Sequence, residues 1–307
     1  SSPAPTTGSP PFETGASQSC VCCGRSLSTR DHECPQCQTP GELSRIVASR
    51  TSPPAFISIL GASNAGKTVY LGMLLDLLSK GTGPLRGLPT SALSVAIQEQ
   101  VIGALQNQTF PSKTPSEAEA WNWVHSRLTL DQAPKSKRRR SPEPKQMDLV
   151  APDFAGEAIA MEIQHAGSYP AIHQAVSKSS GILLLCDALK VRDDGPSEDL
   201  FAMKLASYVA QTRAASQTPV CPALAIVFTK CDGCKEAMDD VDQFAQYHTP
   251  RLYEFCRQSF SQHAFFAASA VGSSGLVTAQ DGRCMQIPFH IQPRGIQEPL
   301  HWIVQQC

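Results

Sequence analysis

The chain has 307 residues, of which 41% are hydrophobic and 17% charged, and its formal net charge at pH 7 is −1. This composition can bury a sizeable core, which excludes wholesale disorder, and the near-neutral charge disfavours a globally basic nucleic-acid binder. The apolar runs stay well short of the roughly 18 residues that a membrane span needs, and no cationic, apolar leader opens the sequence. We therefore expect a cytoplasmic protein without a membrane span.

The first 54 residues divide into three segments by composition. Residues 1–19 are rich in Ser, Pro, Thr and Gly, which predicts a disordered tail. Residues 20–41 are rich in Cys and poor in large apolar side chains, so they need a cross-link to hold a structure. Residues 42–54 are interpreted as a linker before a domain at 55–307.

Strand and helix patterns alternate from residue 55 onward. Strands are predicted at 55–60, 126–130, 146–151, 181–187, 223–229 and 264–268. Helices are predicted at 68–79, 91–106, 117–125, 198–211, 241–259 and 298–306, with a polar loop at 133–145. Alternating strands and helices favour a mostly parallel sheet covered on both faces, so we predict a three-layer α/β fold.

A phosphate-binding loop stands between the first predicted strand and helix of this domain. It matches G-x-x-x-x-G-K-[ST] and reads Gly61-Ala-Ser-Asn64-Ala65-Gly66-Lys67-Thr68. The glycines let backbone N–H groups turn toward phosphate oxygens, and the helix N-terminus adds partial positive charge. We expect Lys67 to reach the β- and γ-phosphates and the Thr68 hydroxyl to bind Mg²⁺. This motif indicates a nucleoside triphosphate without specifying the base.

A second segment, Asp153-Phe-Ala-Gly156, follows a predicted strand and resembles the D-x-x-G motif of P-loop GTPases. The resemblance implies that Asp153 holds Mg²⁺ through water and that the N–H of Gly156 meets the γ-phosphate. It also implies a threonine between the first helix and the antiparallel strand. Thr109, Thr114 and Thr129 are the candidates, and we favour Thr114 over Thr109. Glu157 stands where these GTPases commonly have a water-positioning Gln. A carboxylate there repels the γ-phosphate, so we expect slow hydrolysis or help from a partner, with a structural role for Glu157 as the alternative.

Two further segments decide the base. Thr229-Lys230-Cys-Asp232 ends a hydrophobic strand and resembles the guanine signature [NT]-K-x-D, with Thr in place of the commoner Asn. Asp232 is then expected to accept hydrogen bonds from two adjacent guanine donors, an edge that adenine lacks. Ser269-Ala270 follows the last predicted core strand and resembles the motif whose backbone contacts the guanine oxygen. A strand end with solvated Lys and Asp, in an ATP-dependent enzyme, is the alternative interpretation.

The sequence around these motifs resembles the bacterial double-GTPase group of the TRAFAC class. The similarity extends over 55–307 and includes the segments DFAGE at 153–157 and EPLHW at 298–302. It implies a GTP-driven regulatory subunit that acts with protein partners in a multi-gene system of a conflict or defence type. The identity of those partners stays open.

Five cysteines lie within 18 residues near the N-terminus. Cys20, Cys23, Cys34 and Cys37 form two C-x2-C pairs, the spacing that places four thiolates around one tetrahedral Zn²⁺, and resemble a zinc ribbon. Cys22 is the fifth thiol. A pair of disulfides is the alternative, which a reducing compartment disfavours. We expect the ribbon to contact protein or support the fold; contact with nucleic acid, helped by the basic run at 135–140, is a less favoured alternative.

Overall fold

The computed structural model describes residues 18–28, 30–50, 53–117, 121–130, 145–216, 222–278 and 284–306. The strands among them are β1 (Gln18–Ser19), β2 (Ser26–Leu27), β3 (Ala55–Gly61), β4 (Arg86–Pro89), β5 (Asn122–Leu130), β6 (Lys145–Asp153), β7 (Gly181–Asp187), β8 (Ala223–Thr229), β9 (His263–Ala267), β10 (Ser269–Thr278) and β11 (Cys284–Arg294).

The centre of the molecule is a seven-stranded sheet with the order β4-β5-β6-β3-β7-β8-β9. Strands β6, β3, β7, β8 and β9 are parallel, whereas β5 pairs antiparallel with β6 and the edge strand β4 pairs antiparallel with β5. Every residue of β3, β7 and β8 is buried, because helices cover both faces of the sheet at these strands. The predicted three-layer α/β fold class is confirmed.

The helices form two layers on opposite faces of the sheet. They are α1 (Gly41–Ala48), α2 (Lys67–Lys80), α3 (Ala92–Gln106), α4 (Gly156–Gln164), α5 (Pro170–Lys178), α6 (Ala188–Asp194), α7 (Pro196–Ala214), α8 (Lys235–Asp239), α9 (Val241–His248), α10 (Pro250–Ser259) and α11 (Glu298–Gln306). One core holds the apolar side chains of α2, α3 and α11. The other holds those of α4 to α10 together with the cysteine-rich N-terminal segment. In the described ranges, no helix has the length and apolar character that crossing a membrane requires.

Three local predictions differ from the structure. Helix α1 lies within the segment interpreted as a linker, because its Leu43 and Val47, four residues apart, are buried in the core. The helix predicted at 117–125 is wrong for residues 122–125, which belong to β5 and pair with β6. The helix predicted at 241–259 is divided at Thr249 and Pro250, where α10 begins. Residues 1–17 of the predicted tail, most of the loop at 133–145 and the basic run at 135–140 lie outside the described residues. The last two residues of the predicted tail, Gln18 and Ser19, form β1 and pair with β2.

A long antiparallel hairpin, β10 with β11, has no counterpart among the predicted elements. It begins at Ser269, directly after the last strand of the main sheet, and returns to α11. The hairpin therefore starts at the carboxyl end of β9, next to the carboxyl end of β8, where the predicted guanine motif lies.

Candidate functional site

A cavity of about 460 Å³ opens where the parallel strands β3 and β8 end. Ligands of open α/β sheets bind at the carboxyl ends of the strands, and this volume lies in the usual range of small-molecule sites. The phosphate-binding loop and Thr114 lie along one end of the cavity, and Asp232 with Ala270 lies along the other. The structure thus brings most of the motifs predicted from sequence to a single site.

The phosphate-binding loop has the backbone shape that its glycines allow. Gly66 and Asn64 take left-handed conformations, with φ of 83° and 68°. A Cβ on Gly61 would lie 2.6 Å from the carbonyl oxygen of Leu185, so only glycine fits there. Helix α2 begins after Gly66 without a side-chain cap, which leaves backbone N–H groups at the helix start for an anion.

The Lys67 side chain lies folded within this loop and is 7% exposed. Its Nζ donates hydrogen bonds to the carbonyl oxygens of Gly61 and Ala62, at 3.0 and 2.9 Å. Burial lowers the pKa of Lys67 to about 8, and the charges of Asp153 and Glu157 oppose that shift. The ammonium group is therefore held by neutral carbonyl oxygens, at a position where phosphate oxygens could also accept its hydrogen bonds.

Three side-chain oxygens converge at the predicted magnesium position. The hydroxyls of Thr68 and Thr114 lie 3.0 and 3.1 Å from Oδ2 of Asp153 and 2.8 Å from each other. Burial raises the pKa of Asp153, while hydrogen bonds from both hydroxyls and the charge of Lys67 lower it. Two hydroxyl hydrogens cannot serve three such contacts when Asp153 is ionised. The all-oxygen donor set therefore fits Mg²⁺, which prefers hard oxygen ligands.

Thr114, rather than Thr109, reaches this cluster. The Thr109 hydroxyl instead donates to the carbonyl oxygen of Ala104 at the end of α3. Residues 110–117, which we call the Thr114 segment, contribute Phe110 to Thr114 to the wall of the cavity. Its placement brings the favoured threonine next to the predicted magnesium ligands.

Gly156 and Glu157 begin α4 beside the phosphate-binding loop. A Cβ on Gly156 would lie 2.4 Å from the backbone N of Ser63, so glycine permits this close approach. The carboxylate of Glu157 accepts hydrogen bonds from the hydroxyls of Ser63 and Ser116, at 3.3 and 3.0 Å, and lies 3.8 Å from Nζ of Lys113. Glu157 consequently connects three parts of the site: the phosphate-binding loop, the Thr114 segment and α4.

The end of β8 carries the predicted base-recognition residues. Thr229 donates its hydroxyl hydrogen toward the carbonyl oxygens of Ala65 and Cys186, at 2.8 and 3.2 Å, and so ties this strand to the phosphate-binding loop. Lys230 has a left-handed backbone, with φ of 59°, and its Nζ lies 2.6 Å from Oδ2 of Asp187. Asp187, which belongs to none of the predicted motifs, also caps α6.

The Asp232 carboxylate is held by two serine hydroxyls. Ser269 reaches Oδ1 at 3.0 Å, and Ser274 reaches Oδ2 at 2.8 Å. Ser274, with Gln286, comes from the β10–β11 hairpin and lines the cavity. Sequence reasoning missed both residues, because they have no motif and reach the site only through the fold of the hairpin.

The four predicted zinc ligands also come together. The Sγ atoms of Cys20, Cys23, Cys34 and Cys37 all lie within 4.8 Å of one another. Cys20 and Cys37 are 3.5 Å apart, as are Cys23 and Cys34. Tetrahedral Zn²⁺ with Zn–S bonds near 2.3 Å places sulfurs about 3.8 Å apart, so this cluster fits zinc. Cys22 is buried but stands outside the set.

A second cavity, of about 470 Å³, lies where the loop of the second cysteine pair approaches the end of the Thr114 segment. Its wall includes residues between the second pair of cysteines, residues of the Thr114 segment and residues of the turn after α4, among them Pro35, Gln36, Ser116, Glu117, Ser168 and Tyr169. Trp121 stands behind it, donating to the carbonyl oxygen of Pro115 at 3.1 Å and packing on the rings of Phe154 and Tyr169. The residues around the second cysteine pair therefore face the end of the Thr114 segment across this cavity.

Comparison with known proteins gives a family match. The model of a family described as Double-GTPase 1 matches residues 58–238, more than half of the chain. No curated protein is significantly similar in sequence.

Several solved structures resemble the chain at low identity. A nucleolar GTP-binding protein 1 of Plasmodium falciparum has a TM-score of 0.38 and 11% identity, covering 83% of this chain and 88% of that one. The signal recognition particle receptor SRb-GTP/SRX complex of Chaetomium thermophilum has a TM-score of 0.38 and 15% identity, covering 73% and 94%. The GTP-bound Ski7 GTPase-like domain of S. cerevisiae has a TM-score of 0.40 and 15% identity, covering 82% and 50%.

Proposed function

The chain belongs to the Double-GTPase 1 family, and from that premise we propose that it is a Mg²⁺-dependent GTPase that switches between GTP- and GDP-bound forms. One observation carries the proposal. A single cavity joins the oxygen cluster of Thr68, Thr114 and Asp153 to the carboxylate of Asp232. A guanine nucleotide would contact both groups at once, with its phosphates beside the oxygen cluster and its base beside Asp232.

The phosphate end would act by position and charge. Lys67 and the N–H groups at the start of α2 would neutralise the β- and γ-phosphate oxygens, and the N–H of Gly156 would meet the γ-phosphate. Thr68 and Thr114 would hold Mg²⁺ directly, and Asp153 would hold it through water. The bound ion would supply charge stabilisation for the transferred phosphoryl group.

Hydrolysis is proposed to be slow without a partner. In this reading Glu157 would place a negative charge near the γ-phosphate, and it offers no amide to orient water. Loss of the γ-phosphate would release Thr114, and with it the hydrogen bonds by which the Thr114 segment holds Glu157. A protein partner that reads this change, in the bacterial multi-protein setting that the resemblance implies, would complete the switch.

The proposed zinc site is separate from the proposed nucleotide site. Cys20, Cys23, Cys34 and Cys37 would bind one structural Zn²⁺, which would stabilise a segment with little core of its own. Protein contact or support of the fold is its proposed role.

The preference of the protein for guanine over other bases tests the proposed function. Guanine presents two adjacent donors to Asp232, whereas xanthine presents an oxygen in place of one of them. We expect the wild-type protein to bind GDP more tightly than ADP, and Asp232→Asn to shift the preference toward xanthosine diphosphate, by roughly 1–3 kcal/mol.

A competition assay with GDP, xanthosine diphosphate and ADP on both proteins measures this shift. Asp242→Asn, at an exposed position on α9, is the matched control and should keep the wild-type ranking. Equal binding of ADP and GDP by the wild-type protein would replace the proposal with an ATP-dependent enzyme.

A further inference from the structure

The β10–β11 hairpin places two polar side chains at the base end of the cavity. Leu276 pairs in register with Gln286, and Ser274 lies two residues before Leu276 on the same strand. Since side chains two apart on a strand share a face, Ser274 and Gln286 lie on one face of the hairpin. Both line the nucleotide cavity, and Asp232 is their neighbour there.

These residues form a directed chain of hydrogen bonds. Nε2 of Gln286 donates to Oγ of Ser274 at 3.0 Å, and the Ser274 hydroxyl donates to Oδ2 of Asp232 at 2.8 Å. A serine hydroxyl has one hydrogen, and Ser274 gives it to Asp232 while its lone pair accepts from Gln286. The amide of Gln286 therefore fixes the direction in which the Ser274 hydroxyl points.

The other serine at this carboxylate, Ser269, has a second acceptor for its hydroxyl hydrogen. The Ser269 hydroxyl lies 3.0 Å from Oδ1 of Asp232 but only 2.5 Å from the carbonyl oxygen of Val271. A single hydrogen cannot serve both acceptors, and the shorter contact is the one to Val271. Ser274 is thus the residue whose hydrogen bond to Asp232 has no competing acceptor among its described contacts.

We infer that Ser274, held by Gln286, is a positioning residue for guanine recognition. The inference rests on the proposed function, since it assigns a role at the same base site. An ionised carboxylate offers about four lone-pair sites, enough for two serine hydroxyls and two guanine donors together. Ser274 therefore does not displace the base. It fixes the plane of the Asp232 carboxylate before guanine arrives, which reduces the ordering required on binding.

Substitution of Ser274 tests the inference. Ser274→Ala should weaken GDP binding about threefold to tenfold, the usual range for one hydrogen bond, and Gln286→Ala should act in the same direction. The preference for GDP over xanthosine diphosphate should fall with it, because the loss is confined to the Asp232 edge. Ser274→Thr keeps the hydroxyl and should restore both quantities. Ser273→Ala removes the neighbouring hydroxyl, which has only a 3.5 Å contact with His290, and is the control.

A double-mutant cycle separates positioning from general damage to the hairpin. If Ser274 acts through Asp232, Ser274→Ala should have no further effect on GDP affinity in an Asp232→Ala background. Equal weakening of GDP, xanthosine diphosphate and ADP, an undiminished effect in that background, or tighter GDP binding by Ser274→Ala would each overturn the inference. Failure of wild-type protein to prefer GDP would instead remove the proposed function, so the two failures are distinguishable.

Discussion

At the scale of single residues, the buried ammonium group of Lys67 links nucleotide binding to pH. Burial among backbone carbonyls lowers its pKa to about 8 in the nucleotide-free protein. Phosphate oxygens favour the charged form, so the pKa rises when a nucleotide binds. Below pH 7 the lysine is already protonated in both states. Above about pH 8 the free protein has lost the proton, and binding must restore it.

We therefore predict that GDP binding takes up about half to three-quarters of a proton at pH 8.5, and that GDP affinity falls as the pH rises above 8. Calorimetric titration in two buffers of different ionisation enthalpy measures the uptake. Lys190→Gln removes a partly exposed lysine from the same cavity and should leave the uptake unchanged. Uptake near zero at pH 8.5 would mean that Lys67 stays charged in the free protein.

The residues that the sequence predicted well are those whose chemistry depends on local spacing. Lys67 and Thr68 follow directly from the phosphate-binding motif, and Asp153 from its place after a strand. Ser274 depends instead on the path of the β10–β11 hairpin, about forty residues beyond Asp232 in the chain, and no local pattern encodes that path. Thr229 stands where the guanine signature more commonly has Asn, and the contact of its hydroxyl with the carbonyl oxygen of Ala65, which ties β8 to the phosphate-binding loop, was not predictable from the motif.

At the scale of elements, the buried strands could be predicted from their apolar runs, whereas helix boundaries that depend on distant residues could not. The fully buried strands β3, β7 and β8 are continuous apolar runs, which have few alternatives. The division between α9 and α10 depends on Asp199 of α7, whose carboxylate accepts hydrogen bonds from the backbone N–H groups of Arg251 and Leu252. A cap supplied from a distant helix leaves no signal near residue 250 beyond its proline.

Glu157 joins three elements, and its charge makes a testable difference between nucleotide states. Glu157→Gln keeps one acceptor oxygen for one of the two serines, Ser63 and Ser116, and offers the other hydroxyl an amide donor. It removes the negative charge that we place near the γ-phosphate. The carboxylate is 60% exposed, so solvent screens most of its repulsion. We predict that the preference for GTP over GDP rises about threefold to tenfold and that intrinsic hydrolysis becomes faster, because an amide can orient water without repelling phosphate.

Single-turnover hydrolysis and equilibrium binding of both nucleotides measure these changes. Glu254→Gln, at an exposed position on α10, is the control and should change neither. Slower hydrolysis with an unchanged GTP preference would assign Glu157 to catalysis rather than to charge repulsion.

At the scale of the whole molecule, the cysteine cluster and the GTPase-family fold share one hydrophobic core. Cys20, Cys34 and Cys37 belong to the core that also contains Trp121 and Phe154. Phe154 follows Asp153, the proposed magnesium-site residue, and Trp121 donates a hydrogen bond to the carbonyl oxygen of Pro115, next to Thr114. A metal that orders the cysteine segment therefore also supports the back of the proposed switch.

Removal of zinc should consequently affect both stability and nucleotide preference. We predict about one Zn²⁺ per chain in freshly reduced protein, lost in Cys37→Ser and retained in Cys22→Ala, because only Cys37 belongs to the tetrahedral set. The zinc-free protein should unfold at a lower temperature. It should also bind Mg²⁺ and GTP less tightly while its affinity for GDP changes less, because in the proposed switch Thr114 helps to hold Mg²⁺ beside GTP and is released when the γ-phosphate is lost. Metal analysis, thermal unfolding and parallel GTP and GDP titrations measure these effects.

An equal loss of affinity for GTP and for GDP would limit the zinc to a role in folding. Loss of zinc from the Cys22→Ala variant would identify Cys22 as a zinc ligand.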